Sequence, residues 1–274
     1  MEVIIVKNSQ AVAQYATYLI SLLLHYKPAA VLGLATGTTP VPTYQHLIKL
    51  NQQGELSFKD VTTFNLDEYI GLEADSPHSY RSFMNRELFD HININKQRTF
   101  LPECRPGADP RKVGPQYEQQ IVTSGGIDLQ LLGIGSNGHI GFNEPSSSLG
   151  SRTRVKTLTK RTIDDNSRLF AEGEFQPHMA ITMGIATILD ARRILLMATG
   201  SHKATAIQQA IEGPISAMQP ATALQHHQRV RVIIDEDAAA GLRHREYYRW
   251  VHSQNESITE EHGGSANVDP WFYS

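Results

Sequence analysis

Two neighbouring carboxylates, Asp67 and Glu68, stand in the stretch NLDEYIGL, directly after the strand-like residues VTTF. Adjacent side chains of an extended strand point to opposite faces, so the two acids are predicted to have different roles. A carboxylate that is partly desolvated at a strand end is suited to act as a general base, because burial raises its pKa. The alternative is a helix-capping aspartate beside a surface glutamate, and for an isolated Asp-Glu pair this alternative is favoured.

A second polar group lies in GIGSNGHIGFNEP, residues 133–145, where four glycines surround Asn137, His139 and Glu144. Such a loop exposes its side chains and brings backbone N–H groups close to a ligand. A histidine transfers protons near neutral pH, and either Asn137 or Glu144 could orient it. One histidine with one or two carboxylates lacks the helical spacing of zinc motifs, so no metal is predicted.

The segment ATGTTP, residues 35–40, has the composition of a phosphate cradle. Gly37 permits close backbone approach, and the helix predicted to start at Pro40 points its free N–H groups at the loop. Hydroxyl groups come from Thr36, Thr38 and Thr39. An ordinary strand-to-helix turn also favours these residue types. Arg168 and Lys203 could hold a phosphate as well, although each alone is more often a solvated surface charge.

The amino-acid composition and net charge limit the kinds of molecule that the protein is predicted to bind. The chain has 274 residues, 40% of them hydrophobic, and 25 basic and 28 acidic side chains give a net charge of −3. This mixture indicates neither a nucleic-acid nor a membrane partner, whereas a local basic cluster could still hold a small anion. The single cysteine, Cys104, fits a reducing cytosol, and no signal peptide or long apolar run is evident. A cytoplasmic location is therefore predicted.

Predicted strands and helices alternate almost throughout the chain. Strands are predicted at 3–6, 29–35, 61–66, 127–135, 154–158, 178–183, 192–199 and 229–235. Helices are predicted at about 9–26, 40–51, 110–123, 184–190 and 201–212, after residue 77, from about 162, and up to about 251. Because several strands are continuous apolar runs, the pattern predicts an α/β fold with an open, mostly parallel sheet and helices on both faces.

One domain is predicted over residues 1–251, followed by a polar tail, 252–274, that is expected to be poorly ordered. The aromatic residues 271–273 are an exception within this tail, because they could dock onto the domain. Ligands of open α/β sheets bind outside the carboxyl ends of the strands, so the polar loops described above are expected to form the site.

Taken together and in this order, the segments GLATGTTP, TFNLDEYIGL, GIGSNGHIGFNEP, SRTRVKTLT and GSHKA resemble the glucosamine-6-phosphate deaminases. The resemblance covers about residues 1–250, and GHIGFNEP and NLDEYIGL are its most specific parts. It implies the Rossmann-like fold shared with ribose-5-phosphate isomerase. It also implies conversion of glucosamine 6-phosphate to fructose 6-phosphate and ammonia in amino sugar catabolism, no metal or organic cofactor, and homo-oligomers, often hexamers.

The resemblance also implies roles for individual residues. Asp67 matches the base that moves a proton between C2 and C1, and Asn137, His139 and Glu144 match the group that opens the pyranose ring. The phosphate grip is matched by residues 36–39, Arg168 and Lys203. Many members of the family carry Asp where this chain has Asn137. An Asn oxygen can still accept a hydrogen bond from the imidazole, so an orienting role is expected for Asn137 and an acid role is not.

A separate activator site is implied by SSSLGSRTRVKTLT. Its residues match the site at which allosteric members of the family bind the phosphate of N-acetylglucosamine 6-phosphate: Ser147, Arg154, Lys156 and Thr157. Arg154 and Lys156 alternate, so on an extended segment they share a face, and two converging cations attract an anion. The alternative is a basic, solvated strand. Non-allosteric relatives with Asn at the position of Asn137 tend to lack the two cations, so this chain combines features of both groups.

Other functions remain as alternatives. A 6-phosphogluconolactonase-like hydrolase would share the fold and the phosphate loop, but it would not need NLDEYIGL or GFNEP. A non-catalytic sugar-phosphate sensor domain would be accompanied by a helix-turn-helix segment, which is not expected here. A preference for the C4 epimer, galactosamine 6-phosphate, is also compatible with the sequence.

Overall fold

A parallel sheet forms the centre of the protein in the computed structural model, which describes residues 1–73, 75–160, 163, 175–262 and 271. In the described part of the chain this sheet has seven strands. In order across the sheet they are β1 (Glu2–Val6), β10 (Val230–Asp235), β9 (Ile194–Ala198), β6 (Leu129–Leu132), β2 (Val31–Leu34), β3 (Thr62–Asn65) and β5 (Thr99–Phe100). Every neighbouring pair is parallel, which confirms the predicted sheet.

Helices pack on both faces of this sheet. They are α1 (Ser9–Tyr26), α2 (Val41–Gln52), α3 (Tyr80–Glu87), α4 (Pro110–Thr123), α5 (Ile185–Leu189), α6 (Ala204–Glu212) and α7 (Arg245–His262). Leu19 of α1 and Leu47 of α2 are buried with Leu32 of the sheet on one face. Tyr117 of α4 and Ile207 of α6 are buried on the other face. The central strands are therefore covered twice, which explains their continuous apolar sequences.

Helix boundaries follow local capping chemistry. The side chain of Asn8 accepts a hydrogen bond of 3.0 Å from the Ala11 N–H, so Asn8 caps α1. The last helix, α7, continues to His262 and so extends beyond the predicted end near residue 251. The helix predicted from about residue 162 lies outside the described residues, apart from isolated positions.

A second, smaller sheet is antiparallel, and the sequence did not predict it as a separate sheet. Its strands are β4 (Asp67–Tyr69), β8 (Met179–Thr182) and β7 (Arg154–Thr157), with β8 in the middle. Asp67 and Arg154 both lie opposite Thr182 in the register, so the three residues form one row across the sheet. β4 has only three residues, which is too short for an apolar periodicity to be recognised in the sequence.

The strand order reverses between β2 and β6. These strands are neighbours, but the chain continues from β2 to β3 on one side and from β6 to β9 on the other. A crevice forms outside the carboxyl ends of the strands at such a point, and it is the usual ligand site of open α/β sheets. None of the described helices is both long and apolar enough to cross a membrane.

Near the C-terminus, Trp271 is docked at the opposite edge of the sheet, beside the amino ends of β9 and β10. Its side chain is buried, and its carbonyl oxygen accepts a hydrogen bond of 2.7 Å from Arg193 Nε. The Arg231 guanidinium lies 4.8 Å from the centroid of the indole ring, and Arg231 Nε also donates to Glu2. The expected docking of the C-terminal aromatic residues is thus confirmed for Trp271.

We predict that Trp271→Ala lowers the free energy of unfolding by about 3 kcal/mol, because it removes a buried aromatic ring and its stacking on Arg231. The measurement is chemical unfolding followed by circular dichroism. Trp250→Ala is the matched control, since this tryptophan is 60% exposed on α7. Equal stabilities of the two variants would contradict the docking of Trp271.

Candidate active site

The polar loops predicted from the sequence meet at one edge of the parallel sheet. They follow the carboxyl ends of four strands that are neighbours in the sheet, β9, β6, β2 and β3. The loops are residues 199–203, 133–145, 35–40 and 66–69, in the same order. The parallel arrangement therefore brings together side chains that are up to about 170 positions apart in the sequence.

Asp67 lies where the chain leaves the parallel sheet and enters the antiparallel one. The Leu66 N–H still donates to Leu34 on β2, and Asp67 then pairs with Thr182 on β8. The Asp67 side chain is only 6% exposed. Burial raises the pKa of Asp67 to about 8, the negative charge of Glu68 adds to this rise, and hydrogen bonds from the Phe142 N–H and the Thr182 hydroxyl oppose it.

Glu68 points to the opposite side of β4, as the strand geometry predicts. Its Oε1 accepts hydrogen bonds from the N–H groups of Tyr69 and Tyr80, and its Oε2 accepts one from Arg81, each at 2.9 Å. Tyr80 and Arg81 are the first residues of α3, so Glu68 caps this helix. Burial raises the pKa of Glu68 to about 7, although the three donors oppose the rise. The alternative of a capping Asp67 beside a surface glutamate is wrong.

The glycines of loop 133–145 allow the histidine ring to lie against the backbone. Gly138 and Gly141 have φ values of 81° and 55°, which favour glycine. At Gly135 a Cβ atom would lie 2.2 Å from the His139 ring, so any other residue would displace this ring.

Asn137, His139 and Glu144 are in contact, as predicted, but not in the expected pattern. Asn137 Nδ2 donates to Glu144 Oε2 at 2.8 Å, and Asn137 Oδ1 accepts from the backbone N–H of His139 at 3.2 Å. The ring itself has a carboxylate as its neighbour, since His139 Nδ1 lies 3.4 Å from Glu144 Oε2. The expectation that Asn137 accepts a hydrogen bond from the imidazole is therefore wrong. Asn137 holds the loop and the buried Glu144, and Glu144 faces the ring.

This loop is fastened to the antiparallel sheet beside Asp67. The Phe142 N–H donates to Thr182 Oγ1 at 3.1 Å, and Asn143 Nδ2 donates to the Met183 carbonyl oxygen at 2.8 Å. A Cβ atom on Gly141 would lie 3.3 Å from Asp67 Oδ2, which shows how closely the loop approaches the carboxyl group. Asp67 and the His139 loop thus belong to one site. Asn143 was not predicted as part of the site, because nothing in the sequence FNEP marks it as a structural anchor.

The candidate phosphate elements lie along the same edge. Gly37 and Thr38 are exposed, and the N-terminus of α2 follows them, with no side chain of the described residues capping it. Lys203 Nζ donates to the Ile134 carbonyl oxygen at 2.7 Å, so its ammonium group lies at the end of β6. Gly200 in the same loop donates its N–H to Asp235, at 3.0 and 3.1 Å from the two carboxylate oxygens. Arg168 lies outside the described residues.

The residues predicted for the activator site lie on β7 and on the end of the His139 loop. Arg154 and Lys156 share one face of β7, as predicted, and Thr157 is exposed. Arg154 Nη1 donates to Asn143 Oδ1 at 2.9 Å, which links β7 to the loop. Ser147 is buried; its N–H donates to the Glu144 carbonyl oxygen, and its hydroxyl has no hydrogen-bond partner in the described structure.

No group of three or more His, Cys, Asp and Glu side chains is arranged to hold a metal ion within the described ranges. The donors at this edge are instead backbone N–H groups, threonine hydroxyls and a lysine. This set suits an anionic, hydroxyl-bearing molecule.

The family model for glucosamine-6-phosphate isomerases and 6-phosphogluconolactonases matches residues 7–233. A glucosamine-6-phosphate deaminase of Colwellia psychrerythraea is 56% identical over 263 residues, which are 96% of this chain and 98% of that protein. A glucosamine-6-phosphate deaminase of Hahella chejuensis is 58% identical over 254 residues, which are 93% of this chain and 97% of that protein.

Solved structures also match. A monomeric glucosamine-6-phosphate deaminase is 45% identical, with a TM-score of 0.84 that covers 88% of this chain and 100% of that one. A 6-phosphogluconolactonase of Trypanosoma cruzi is 20% identical, with a TM-score of 0.68 that covers 88% of this chain and 97% of that one. The second likeness is one of fold.

We predict that Asp67→Asn makes the protein more stable at pH 8. The pKa of Asp67 is about 8 in the folded protein and 3.8 as the ordinary value, so the folded state retains a proton that the unfolded state releases. The wild-type protein therefore loses stability as the pH rises from about 4 to about 8. The Asp67→Asn variant has no proton to release at this position, so its stability does not fall for this reason. The gain at pH 8 is expected to reach about 5 kcal/mol and to vanish near pH 4, as measured by urea unfolding across this range.

Glu118→Gln is a control for which the opposite change in stability is expected at pH 8. Burial disfavours ionisation of Glu118, but hydrogen bonds from Thr153 and Thr187 outweigh this effect and lower its pKa. A carboxylate with a lowered pKa stabilises the folded state above its unfolded pKa, so Glu118→Gln should be less stable than the wild type at pH 8. An Asp67→Asn variant that loses stability at pH 8 would contradict the burial of a protonated Asp67.

Proposed function

This chain belongs to the family of glucosamine-6-phosphate isomerases and 6-phosphogluconolactonases, and we propose that it converts glucosamine 6-phosphate and water to fructose 6-phosphate and ammonia. The observation that carries this proposal is the buried Asp67 at a strand end, in contact with the loop of His139 and Glu144. Relatives that are 56% and 58% identical over nearly the whole chain are named glucosamine-6-phosphate deaminases. The likeness to the lactonases concerns the fold alone.

Ring opening is assigned to His139 and Glu144. The reaction takes a proton from the C1 hydroxyl and supplies one to the ring oxygen, which yields the open-chain aldehyde. A neutral imidazole can accept the first proton, and the nearby carboxylate stabilises the imidazolium that results. Asn137 contributes by holding Glu144 through its amide group.

Isomerisation is assigned to Asp67. Its carboxylate removes the proton from C2 and returns it to C1, while the C1 oxygen takes up a proton and the amino group releases one, so that an imine remains at C2 beside a C1 hydroxyl group. Water adds to this imine, and ammonia leaves to give the ketone. One group that both takes and gives a proton works best when its pKa lies near the working pH, as the buried environment of Asp67 provides.

The phosphate is assigned to the loops that follow β2 and β9 at the same edge of the sheet. Residues 36–39, the N-terminus of α2 and Lys203 provide donors, and Arg168 is included on its position in the sequence. Binding a distant phosphate fixes C1 and C2 against the reacting groups without altering the chemistry at those carbons. A cytoplasmic location is part of the proposal, supported by a single, buried cysteine, Cys104.

Regulation by N-acetylglucosamine 6-phosphate is proposed at Ser147, Arg154, Lys156 and Thr157. Support comes from the shared face of the two cations and from the contact of Arg154 with Asn143 in the loop of His139. An anion that attracts the guanidinium would change this contact, and an activator acts only through such a difference in affinity between two states. A homo-oligomer, a hexamer by resemblance, is proposed with it, whereas the solved relative at 45% identity is monomeric.

We predict ammonia release from glucosamine 6-phosphate, tested alongside its C4 epimer and 6-phosphogluconolactone. Asp67→Asn should abolish this reaction, together with deuterium incorporation at C1 of fructose 6-phosphate in heavy water, because no base remains for the C1 and C2 protons. Asp60→Asn is the control, since Asp60 is an exposed acid before the other end of β3. Hydrolysis of the lactone without ammonia release would replace the deaminase by the hydrolase.

We predict that N-acetylglucosamine 6-phosphate lowers the substrate concentration at half-maximal rate. The double variant Arg154→Ala with Lys156→Ala should lose this response and retain the rate at saturating substrate. Lys160→Ala, an exposed cation of the same segment, should keep the response. Sedimentation analysis gives the oligomeric state, since cooperativity between substrates requires several sites. A hyperbolic rate curve that the activator leaves unchanged would contradict this part of the proposal.

A further inference from the structure

Asp67 and Glu68 form a pair of buried carboxyl groups on opposite faces of β4. Asp67 is 6% exposed to solvent and Glu68 is 3% exposed. Burial disfavours the charged form of each group, the charge of Glu68 disfavours ionisation of Asp67, and the charge of Glu103 disfavours ionisation of Glu68. At neutral pH the pair is therefore expected to hold one proton and one negative charge, and the surroundings decide where the proton resides.

Glu68 is placed to hold the charge. Three backbone N–H groups donate to its two oxygens at 2.9 Å each, and two of them belong to the N-terminus of α3, where the helix dipole favours an anion. The helix end is itself held firmly. Arg81 Nε donates to Glu103 at 2.7 Å, and its terminal nitrogens donate to the side chain and carbonyl oxygen of Thr99 on β5.

Asp67 is placed to hold the proton. Two donors compensate its burial, the Phe142 N–H and the Thr182 hydroxyl, and neither carries a charge. The titratable and charged groups on the elements around it are Glu68 and Tyr69 on β4, Tyr80 on α3, Tyr117 on α4, Arg154 on β7, and His139 and Glu144 on the adjacent loop. Burial raises the pKa of all three tyrosines well above neutrality, so they stay uncharged in the working range.

We propose that Glu68 is a positioning residue for Asp67: bound at the N-terminus of α3, it fixes the strand that carries Asp67 and keeps the negative charge of the pair, so that the proton resides on Asp67. This inference rests on the proposed function, in which Asp67 moves a proton between C2 and C1. The neighbouring charge makes Asp67 a stronger base than an isolated carboxylate, and the same charge never enters the cleft.

The direct test is a site-resolved carbon-13 NMR titration of the two carboxyl groups in the wild-type protein without substrate. Asp67→Asn and Glu68→Gln assign the two resonances. Glu68 is expected to lose its proton at a lower pH than Asp67. The reverse order, with Asp67 ionised while Glu68 is still protonated, would overturn the proposal, and this comparison requires no folded variant beyond those used for assignment.

Glu68→Gln tests the influence of the charge. The titration midpoint of Asp67 should fall by about one pH unit, a tenfold change in its proton affinity, and the acid limb of kcat/KM should move in the same direction. Glu68→Asp keeps the charge and should keep the midpoint, although its shorter side chain weakens the contact with α3. If Glu68→Gln lowered the melting temperature but left the midpoint unchanged, Glu68 would be purely structural.

Glu118→Gln is the matched control for this experiment. Glu118 also accepts several hydrogen bonds, but its donors, Thr153 and Thr187, differ from the residues that donate to Asp67. This variant should lose stability without any change in the Asp67 midpoint. Because the titrations use the protein without substrate, they stand apart from the assignment of the reaction: an enzyme that released no ammonia could still show the expected order of ionisation, and an active deaminase could still show the reverse.

Discussion

Three backbone N–H groups converge on the carboxylate of Glu68, and the geometry of the cleft depends on this contact. Glu68 follows Asp67 directly, so β4 cannot slide or rotate without withdrawing a buried charge from its donors. Leaving such a charge uncompensated would cost on the order of several kcal/mol. The N-terminus of α3 and the position of Asp67 are therefore fixed by the same interaction.

The antiparallel sheet is the common frame for the rest of the site. Asp67, Thr182 and Arg154 lie in one row across its three strands. The Thr182 hydroxyl oxygen accepts a hydrogen bond from the Phe142 N–H. The Asn143 amide group donates to the carbonyl oxygen of Met183, directly after β8, and accepts a hydrogen bond from Arg154. Any shift of β7 is thus transmitted to the loop of His139 through the contact between Arg154 and Asn143. The contact explains why Arg154 and Lys156 follow closely after the loop of His139 in the sequence: β7, which carries them, packs beside this loop.

The parallel sheet and the place of the site were predictable from the sequence. The apolar run of β9, ILLMA, leaves no polar face, so this strand belongs inside a sheet covered on both sides. Once the strands are parallel, their carboxyl ends share an edge, and the loops with Asp67, His139 and Lys203 must gather there.

The details that were missed depend on contacts between distant segments. Glu68 binds the N-terminus of α3 only because the folded chain brings this helix against β4. The pairing of β4 with β8 likewise joins residues that are more than one hundred positions apart in the sequence. The partner of the His139 ring also escaped prediction. Asn137 and Glu144 both reach this loop, and only the three-dimensional path of the backbone decides which of them faces the imidazole.

The pairing of β1 with β10 has a consequence for synthesis of the chain. Glu2 lies opposite Arg231 in the register, so the first described strand in chain order pairs with the last strand of this sheet. Until more than 230 residues have been translated, the apolar segment EVIIV has no strand beside it. An unpaired apolar strand readily associates with other chains. Completion of the parallel sheet therefore has to wait until β10 has been synthesised, whereas α1, which also contacts β1, is made directly after β1.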